Sequence, residues 1–394
     1  MKPKPCSLHQ VHKIKSVLFF CNHATYFASH RLEIAKYLIR SGSMVYLYCG
    51  SKISNEHAVH NQITDENITL LCNKHLAGSV NILSLLSFVF FFFRETSRIK
   101  PDIIHCISIK SILIGLLYSS ITQEKNMIMA LSGLGSIFTT QPHEPVALKI
   151  RRKFFYIILR IFVFLSVGVK YIVQNHDDKK FLLKDLNVSE KHIYTIRGSG
   201  AKLTDYKSCS VYKKNKKILM ASRILENKGV NEYLLAVKNL KKKHPDWEFL
   251  FAGSLDEDSP ASYKTTQFYE LLQRSDCKYL GYVADMNRLL KDVALFVLPS
   301  YREGFPKALI EASLAGCAIV TTDVPGCRDA ISNGKYGIMV KPRNVNELQA
   351  AIAALIVDEA QRNNLAFAAQ RYARQNYDIN TIIQKHIQIY ESFL

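Results

Sequence analysis

Leu298-Pro-Ser-Tyr-Arg-Glu303-Gly-Phe-Pro-Lys-Ala-Leu-Ile-Glu311 begins where the apolar run Ala294–Leu298 ends. Such a run leaves no polar face for water and reads as a fully buried strand. Pro306 suits the first turn of a helix, and Gly316 suits its end. The segment is therefore a strand–turn–helix unit, with Glu303 in the turn and Glu311 about a turn and a half into the helix. Free backbone N–H groups around Phe305–Ala308 would sit at the positive end of the helix dipole, a cradle for anions. Two carboxylates beside such a cradle suit the hydroxyls of a phosphorylated sugar. Read singly, Glu303 is equally a helix-start acid and Glu311 a solvated helix residue.

The same alternation extends in both directions. Lys217–Ala221, Glu248–Ala252 and Ala318–Thr322 read as further strands, with helical patterns at Gly229–Lys243 and Lys307–Ala315. Upstream, Ser16–Phe20, Met44–Cys49, Ile103–Ile107, Asn126–Leu131 and Tyr171–Val173 read as strands, and Ser29–Ser41 as a helix. A polar, Lys-rich stretch from Ala201 to Lys217 separates the two series and reads as a linker. The chain is thus expected to be α/β, with two doubly wound Rossmann-like domains whose strand ends face a shared crevice.

Ala221-Ser-Arg223-Ile-Leu-Glu-Asn-Lys228-Gly229 follows the first strand of the second series. Arg223 offers a planar fork of donors and Lys228 a mobile point charge, so together they can neutralise a diphosphate without a metal. Asp256-Glu257-Asp258 contains a D-x-D pattern but lies in a polar loop and reads as coincidence, so no metal is expected.

The composition excludes a disordered tail, a collagen-like repeat and a small disulfide scaffold. Lys and Arg number 52 against 33 Asp and Glu, a net charge of +19. Residues 1–200 carry +13 of it and residues 201–394 carry +6, so a polyanionic partner would meet mostly the first domain. Aromatic and basic residues form no recognisable nucleic-acid module, which leaves an anionic membrane or a phosphorylated lipid.

Leu148–Arg160 (LKIRRKFFYIILR) places Lys149, Arg151, Arg152 and Lys153 beside Phe154 and Phe155, with no acid from Pro145 to His176. That pattern suits a helix lying on an anionic bilayer; a core helix with a solvated basic end is the alternative. The uncharged stretch Leu76–Phe93 is short for a spanning helix and reads as a buried or interface-lying one. The 9 cysteines form no C-x-x-C pair and read as buried thiols of a reducing cytoplasm. Met1–Lys15 lacks the apolar segment of a signal peptide.

Together the motifs resemble glycosyltransferase family 4, of the GT-B fold. The resemblance rests on E-x₇-E as Glu303 and Glu311, on Arg223, Lys228 and Gly229, on Gly253, and on Gly281-Tyr-Val-Ala-Asp-Met286 and Thr321-Thr-Asp-Val-Pro-Gly-Cys-Arg-Asp329. In the first domain it rests on Phe27-Ala-Ser-His-Arg-Leu32, Pro101-Asp-Ile-Ile-His105, Ser132-Gly-Leu-Gly135, Gln174-Asn175 and Ile196-Arg-Gly-Ser-Gly200. These look like the branch that extends sugars on polyprenyl diphosphates for bacterial O-antigens, capsules and protein glycans. Where many relatives carry a glycine-rich loop, this chain has Cys21-Asn-His-Ala-Thr-Tyr26.

The resemblance implies roles residue by residue. Arg223 and Lys228 would hold the nucleotide diphosphate, Glu311 the ribose, and Glu303 the donor sugar. Backbone at Tyr282 and Val283 would meet the base, and backbone N–H groups of Gly304 and Phe305 the sugar or phosphate. His105 would face the reacting centre near the acceptor, a packed strand histidine being the alternative, with Ser132, Gly133, Asn175 and Arg197 on the acceptor side of the cleft. Residues 1–205 would form the acceptor domain with its membrane-facing helix and 206–375 the nucleotide-sugar domain. Residues 376–394 would form a helix packing back on the first domain. The implied activity is retaining, metal-independent and cofactor-free transfer from a UDP-hexose or UDP-N-acetylhexosamine to a polyprenyl-diphosphate-linked saccharide. It would take place on the inner face of the cytoplasmic membrane. A nucleotide-sugar epimerase and a non-catalytic membrane-bound subunit are the alternatives.

Overall fold

The computed structural model describes residues 14–50, 57–73, 82–133, 146–212, 214–255 and 261–394. Its apolar runs form two wholly parallel sheets. The first comprises β1 (Ser16–His23), β2 (Met44–Gly50), β3 (Thr69–Asn73), β4 (Ile103–Ile107), β5 (Met127–Ala130), β6 (Lys170–Val173) and β7 (Ile193–Thr195). The second comprises β8 (Asn215–Ala221), β9 (Glu248–Ala252), β10 (Lys278–Tyr279), β11 (Val293–Leu298), β12 (Ala318–Thr322) and β13 (Ile338–Val340). Every residue of β4, β5, β11 and β12 is buried, as strands covered by helices on both faces require.

The strand orders are β3-β2-β1-β4-β5-β6-β7 and β10-β9-β8-β11-β12-β13. The order in which strands are added reverses once in each sheet, between β1 and β4 and between β8 and β11, and ligands bind at such switch points. The turns after β8 and β11 are distant in sequence but neighbours here, since Leu295 pairs with Ile218 and Phe296 with Leu219.

The stretch expected as a linker is not a free tether. Tyr206, Cys209 and Val211 are buried, and Arg374 and Gln370 donate to the carbonyls of Tyr206 and Cys209 at 2.8 and 3.2 Å. The chain crosses between the domains again near its end. Ala201 N donates to Tyr377 O and Ile379 N to Ala201 O, both at 3.0 Å, so the two crossings run side by side. The helix Ile379–Glu391 then packs Ile379, Ile382, Ile387 and Tyr390 into the first-domain core with Val17, Phe19 and Ile103.

In the helix Ile82–Ile99, Phe88 and Phe92 are buried while Leu86 and Phe90 face solvent. The helix Val146–Leu165 buries only Leu159. No helix of the described residues is long and apolar enough to cross a membrane. Of the described cysteines all are free thiols, and all but Cys72 are buried.

Candidate active site

The turn after β8 and the one after β11 build the site together. Gly229, in the left-handed region at φ +73°, lets the β8 turn close on the end of β11; a Cβ there would lie 2.1 Å from Pro299 O. Lys228 Nζ consequently donates to Glu303 Oε1 at 2.6 Å, an oxygen that also accepts from Ser300 Oγ at 2.7 Å. Both charges are largely buried, with side-chain exposures of 18% and 11%. Each therefore depends on the other for compensation.

Beside this pair a cavity of about 270 Å³ opens among Ser222, Arg223, Gly253, Tyr282, Val283 and Glu311. Glu311 is reached by Lys307 Nζ at 3.5 Å. Burial raises its carboxyl above the ordinary value, against the opposing pull of Lys307. The cavity thus offers a cation at one wall, a half-buried carboxylate at another and an exposed aromatic, Tyr282, at its mouth.

The first domain closes directly onto the Glu303–Phe305 turn. A Cβ on Gly304 would lie 2.1 Å from Ser132 O and 2.8 Å from Gly133 N. Asn175 caps the helix His176–Lys184 by accepting from Asp178 N, and its Nδ2 donates to Gly304 O at 2.8 Å. Further ties are His176 N to Asp329 at 2.8 Å, Arg328 to Asp177 at 3.1 Å and Lys307 to Ser29 O at 3.2 Å. Residues from both strand-end surfaces therefore converge on one turn.

Residues 202–372 match the family model for Glycosyl transferases group 1. The second domain is a group 1 glycosyltransferase domain. The chain is 28% identical over 344 residues to the N,N'-diacetylbacillosaminyl-diphospho-undecaprenol alpha-1,3-N-acetylgalactosaminyltransferase of Campylobacter jejuni, covering 84% of this chain and 87% of the relative. It is 24% identical to the capsular polysaccharide biosynthesis glycosyltransferase CapM of Staphylococcus aureus, over 80% and 82% of the two chains. A glycosyltransferase from Rickettsia africae superposes with a TM-score of 0.71 at 19% identity over 97% of this chain and 99% of its own. HepE of Anabaena, in complex with UDP and glucose, superposes with a TM-score of 0.73 at 18% identity over 96% and 100%. The two-sheet architecture is the GT-B fold.

Within the glycosyltransferase domain, Arg223, Tyr282, Val283 and Glu311 line the cavity, and Lys228 and Glu303 pair beside it. The helix carrying Glu311 starts at Lys307, where the sequence pattern has it, with Pro306 as its N-cap. Phe305 turns its ring into the core, 5.4 Å from Tyr377, so only its backbone is offered to a ligand. Ser132, Gly133 and Asn175 lie against Gly304. Asp256–Asp258 lies outside the described residues.

One expectation is corrected. His105 does not face the cleft: it is fully buried, 5.3 Å from the Phe19 ring, with Nδ1 2.6 Å from Tyr390 Oη. β4 runs from Ile103 to Ile107, as read from the sequence, so His105 sits mid-strand, and there Tyr390 of the C-terminal helix covers it. Burial, then Arg31 and His386, hold its ring well below the ordinary histidine value and thus neutral. Arg197 is exposed, and its Nη1 donates to Tyr372 Oη at 3.1 Å, a tie between the two domains.

Ser300, Lys307, His30 and Ser199 join the site without having been assigned a role from sequence. Ser300 and Lys307 flank the E-x₇-E carboxylates, so the signal was adjacency. For His30 and Ser199 it was their presence in the motifs Phe27–Leu32 and Ile196–Gly200.

Proposed function

We propose that this chain is a retaining glycosyltransferase moving a sugar from a UDP-linked hexose or N-acetylhexosamine to a saccharide on a polyprenyl diphosphate. The observation that carries the reading is a strand-end cavity lined by Arg223 and Glu311, with the Lys228–Glu303 pair in the adjoining turns. The acceptor in the printed name of the Campylobacter relative and the UDP bound by HepE support the two substrate classes.

Arg223 and Lys228 hold the diphosphate and stabilise its growing charge as it leaves, and this makes a metal or other cofactor unnecessary. Glu311 takes the ribose hydroxyls and Glu303 the donor sugar. Both carboxylates belong to the donor side, and neither serves as the nucleophile that a double-displacement glycosidase would use. Retention then comes from attack on the face the diphosphate leaves, with the acceptor proton passing to the departing phosphate oxygen. An α-linked donor should give an α-linked product by NMR, with no glycosyl-enzyme by mass spectrometry. A β-linked product, or sugar attached to Glu303, overturns the mechanism.

The acceptor lipid sets the location, peripheral on the inner face of the cytoplasmic membrane. Along the helix Val146–Leu165, Ile150, Phe154, Ile157, Ile161 and Phe164 are exposed, Phe164 to 85%. Lys149, Arg152 and Lys153 line an open groove of about 390 Å³ with Tyr156, Phe181 and Asp185. A bare apolar stripe flanked by cations fits an anionic bilayer, each cation contributing about 1 kcal/mol near such a surface. Changing Lys149, Arg151, Arg152 and Lys153 together to Glu should release the protein from anionic liposomes. Undiminished co-sedimentation would contradict the membrane assignment.

A further inference from the structure

His30 ends the helix Ala24–His30 that follows β1, at the carboxyl edge of the first sheet. The next domain reaches this point directly, since Lys307 Nζ donates to Ser29 O at 3.2 Å. The ring is held on several sides. Its Nδ1 lies 3.1 Å from Oγ of the buried Ser199, and its face packs on Tyr26 with centroids 4.4 Å apart. Its carbonyl accepts from the buried Arg31 at 3.0 Å. Nothing in the helix itself needs a histidine there; the fixation is of the ring.

The charged groups that act on this ring are Arg31 beneath it, Lys307 from the helix Lys307–Leu314, and Lys228 and Arg223 from the turn after β8. The last two are the cations assigned to the diphosphate, so His30 stands across the cleft from the leaving group. All four are positive. Burial first, then these four charges, lower its pKa to about 3, and the ring is therefore neutral at physiological pH. The Nδ1–Ser199 contact suits the tautomer that carries its proton on Nδ1, which leaves Nε2 a lone pair that the surrounding cations favour.

We propose that His30 positions the acceptor hydroxyl, accepting a hydrogen bond from it at Nε2 and so turning the hydroxyl oxygen towards the donor sugar. The proposal rests on the transferase reading. In the step itself, the bond from the sugar carbon to the diphosphate oxygen breaks and the bond to the acceptor oxygen forms. The acceptor proton goes to the diphosphate oxygen. His30 does not keep the proton, because an imidazolium among four cations is disfavoured. It is a positioning residue, not a general base.

The test uses the full chain with His30→Ala and His30→Gln, measuring transfer to the lipid-linked acceptor, UDP affinity by calorimetry and thermal melting. Gln can return an acceptor oxygen near the place of Nε2; Ala cannot. Expected is a loss of turnover of ~30-fold or more in Ala from misorientation, unchanged UDP affinity, and partial recovery in Gln. Wild-type turnover in His30→Ala overturns the proposal, as does equal loss in Ala and Gln with both folded. A fall in UDP affinity matching the fall in turnover would make His30 a donor contact and also overturns it. If the wild-type protein itself transfers no sugar, the transferase reading fails, and this role with it.

Discussion

Arg223→Ala and Lys228→Ala should each lower turnover by about 10²-fold or more, equivalent to roughly 2.7 kcal/mol or more of transition-state stabilisation. Leaving-group charge grows as the sugar–phosphate bond breaks, so a cation on the diphosphate contributes more in the transition state than in the ground state. Glu303→Gln should behave differently. Glu303 Oε1 holds Lys228 Nζ at 2.6 Å, so a diphosphate has to compete with a partly buried carboxylate for that ammonium. Gln removes the competitor and keeps the shape. Turnover should fall through loss of the sugar contact, while UDP binds as tightly as before or more tightly. Calorimetry with UDP beside steady-state kinetics separates the two patterns. Weaker UDP binding in Glu303→Gln would show that the carboxylate supports the diphosphate site rather than competing for it.

Gly304→Ala should cost about 10²-fold in turnover with both domains still folded. The added Cβ would lie 2.1 Å from Ser132 O and 2.4 Å from Ser132 C, and these are backbone atoms that no rotamer change can move aside. On the other side, a Cβ on Gly326 would already lie 2.3 Å from Gly304 O, so the turn cannot retreat within its own domain. Relief comes from parting the domains, and a displacement of about 1 Å at reacting groups costs on this order. Gly42→Ala is the control. Its φ of +89° makes Ala strained, yet nothing lies within 4 Å of the new Cβ. It should lower stability by about 1 kcal/mol and leave turnover alone. Equal activities of the two variants would remove the closed contact from the account.

The donor half of this site was legible because its residues sit in turns that follow strongly apolar strands. β8 and β11 announce themselves by composition, and once the sheet is doubly wound their ends must be neighbours. The short strands at or near the sheet edges were not legible. β10 has two residues, β7 and β13 three each, and Thr69–Asn73 mixes polar with apolar positions, so none offers a period to read. His105 was misplaced for a related reason: its motif marks the strand, but only the packing of Tyr390 and His386 shows which face it occupies. The contacts between domains were invisible. Asn175 on Gly304 O and His30 on Ser199 join residues more than a hundred positions apart with no periodicity to announce them.

The central claim is that sugar moves from a nucleotide onto a lipid-linked acceptor without a metal. It is tested most directly by incubating the protein with radiolabelled UDP-hexoses and UDP-N-acetylhexosamines and extracted polyprenyl-diphosphate saccharides in EDTA, then counting the organic phase. The account predicts label in the lipid with one of these donors, undiminished by EDTA and lost in Arg223→Ala. Absence of label with every donor would contradict the transferase reading. Activity abolished by EDTA and restored by manganese would contradict the metal-free mechanism.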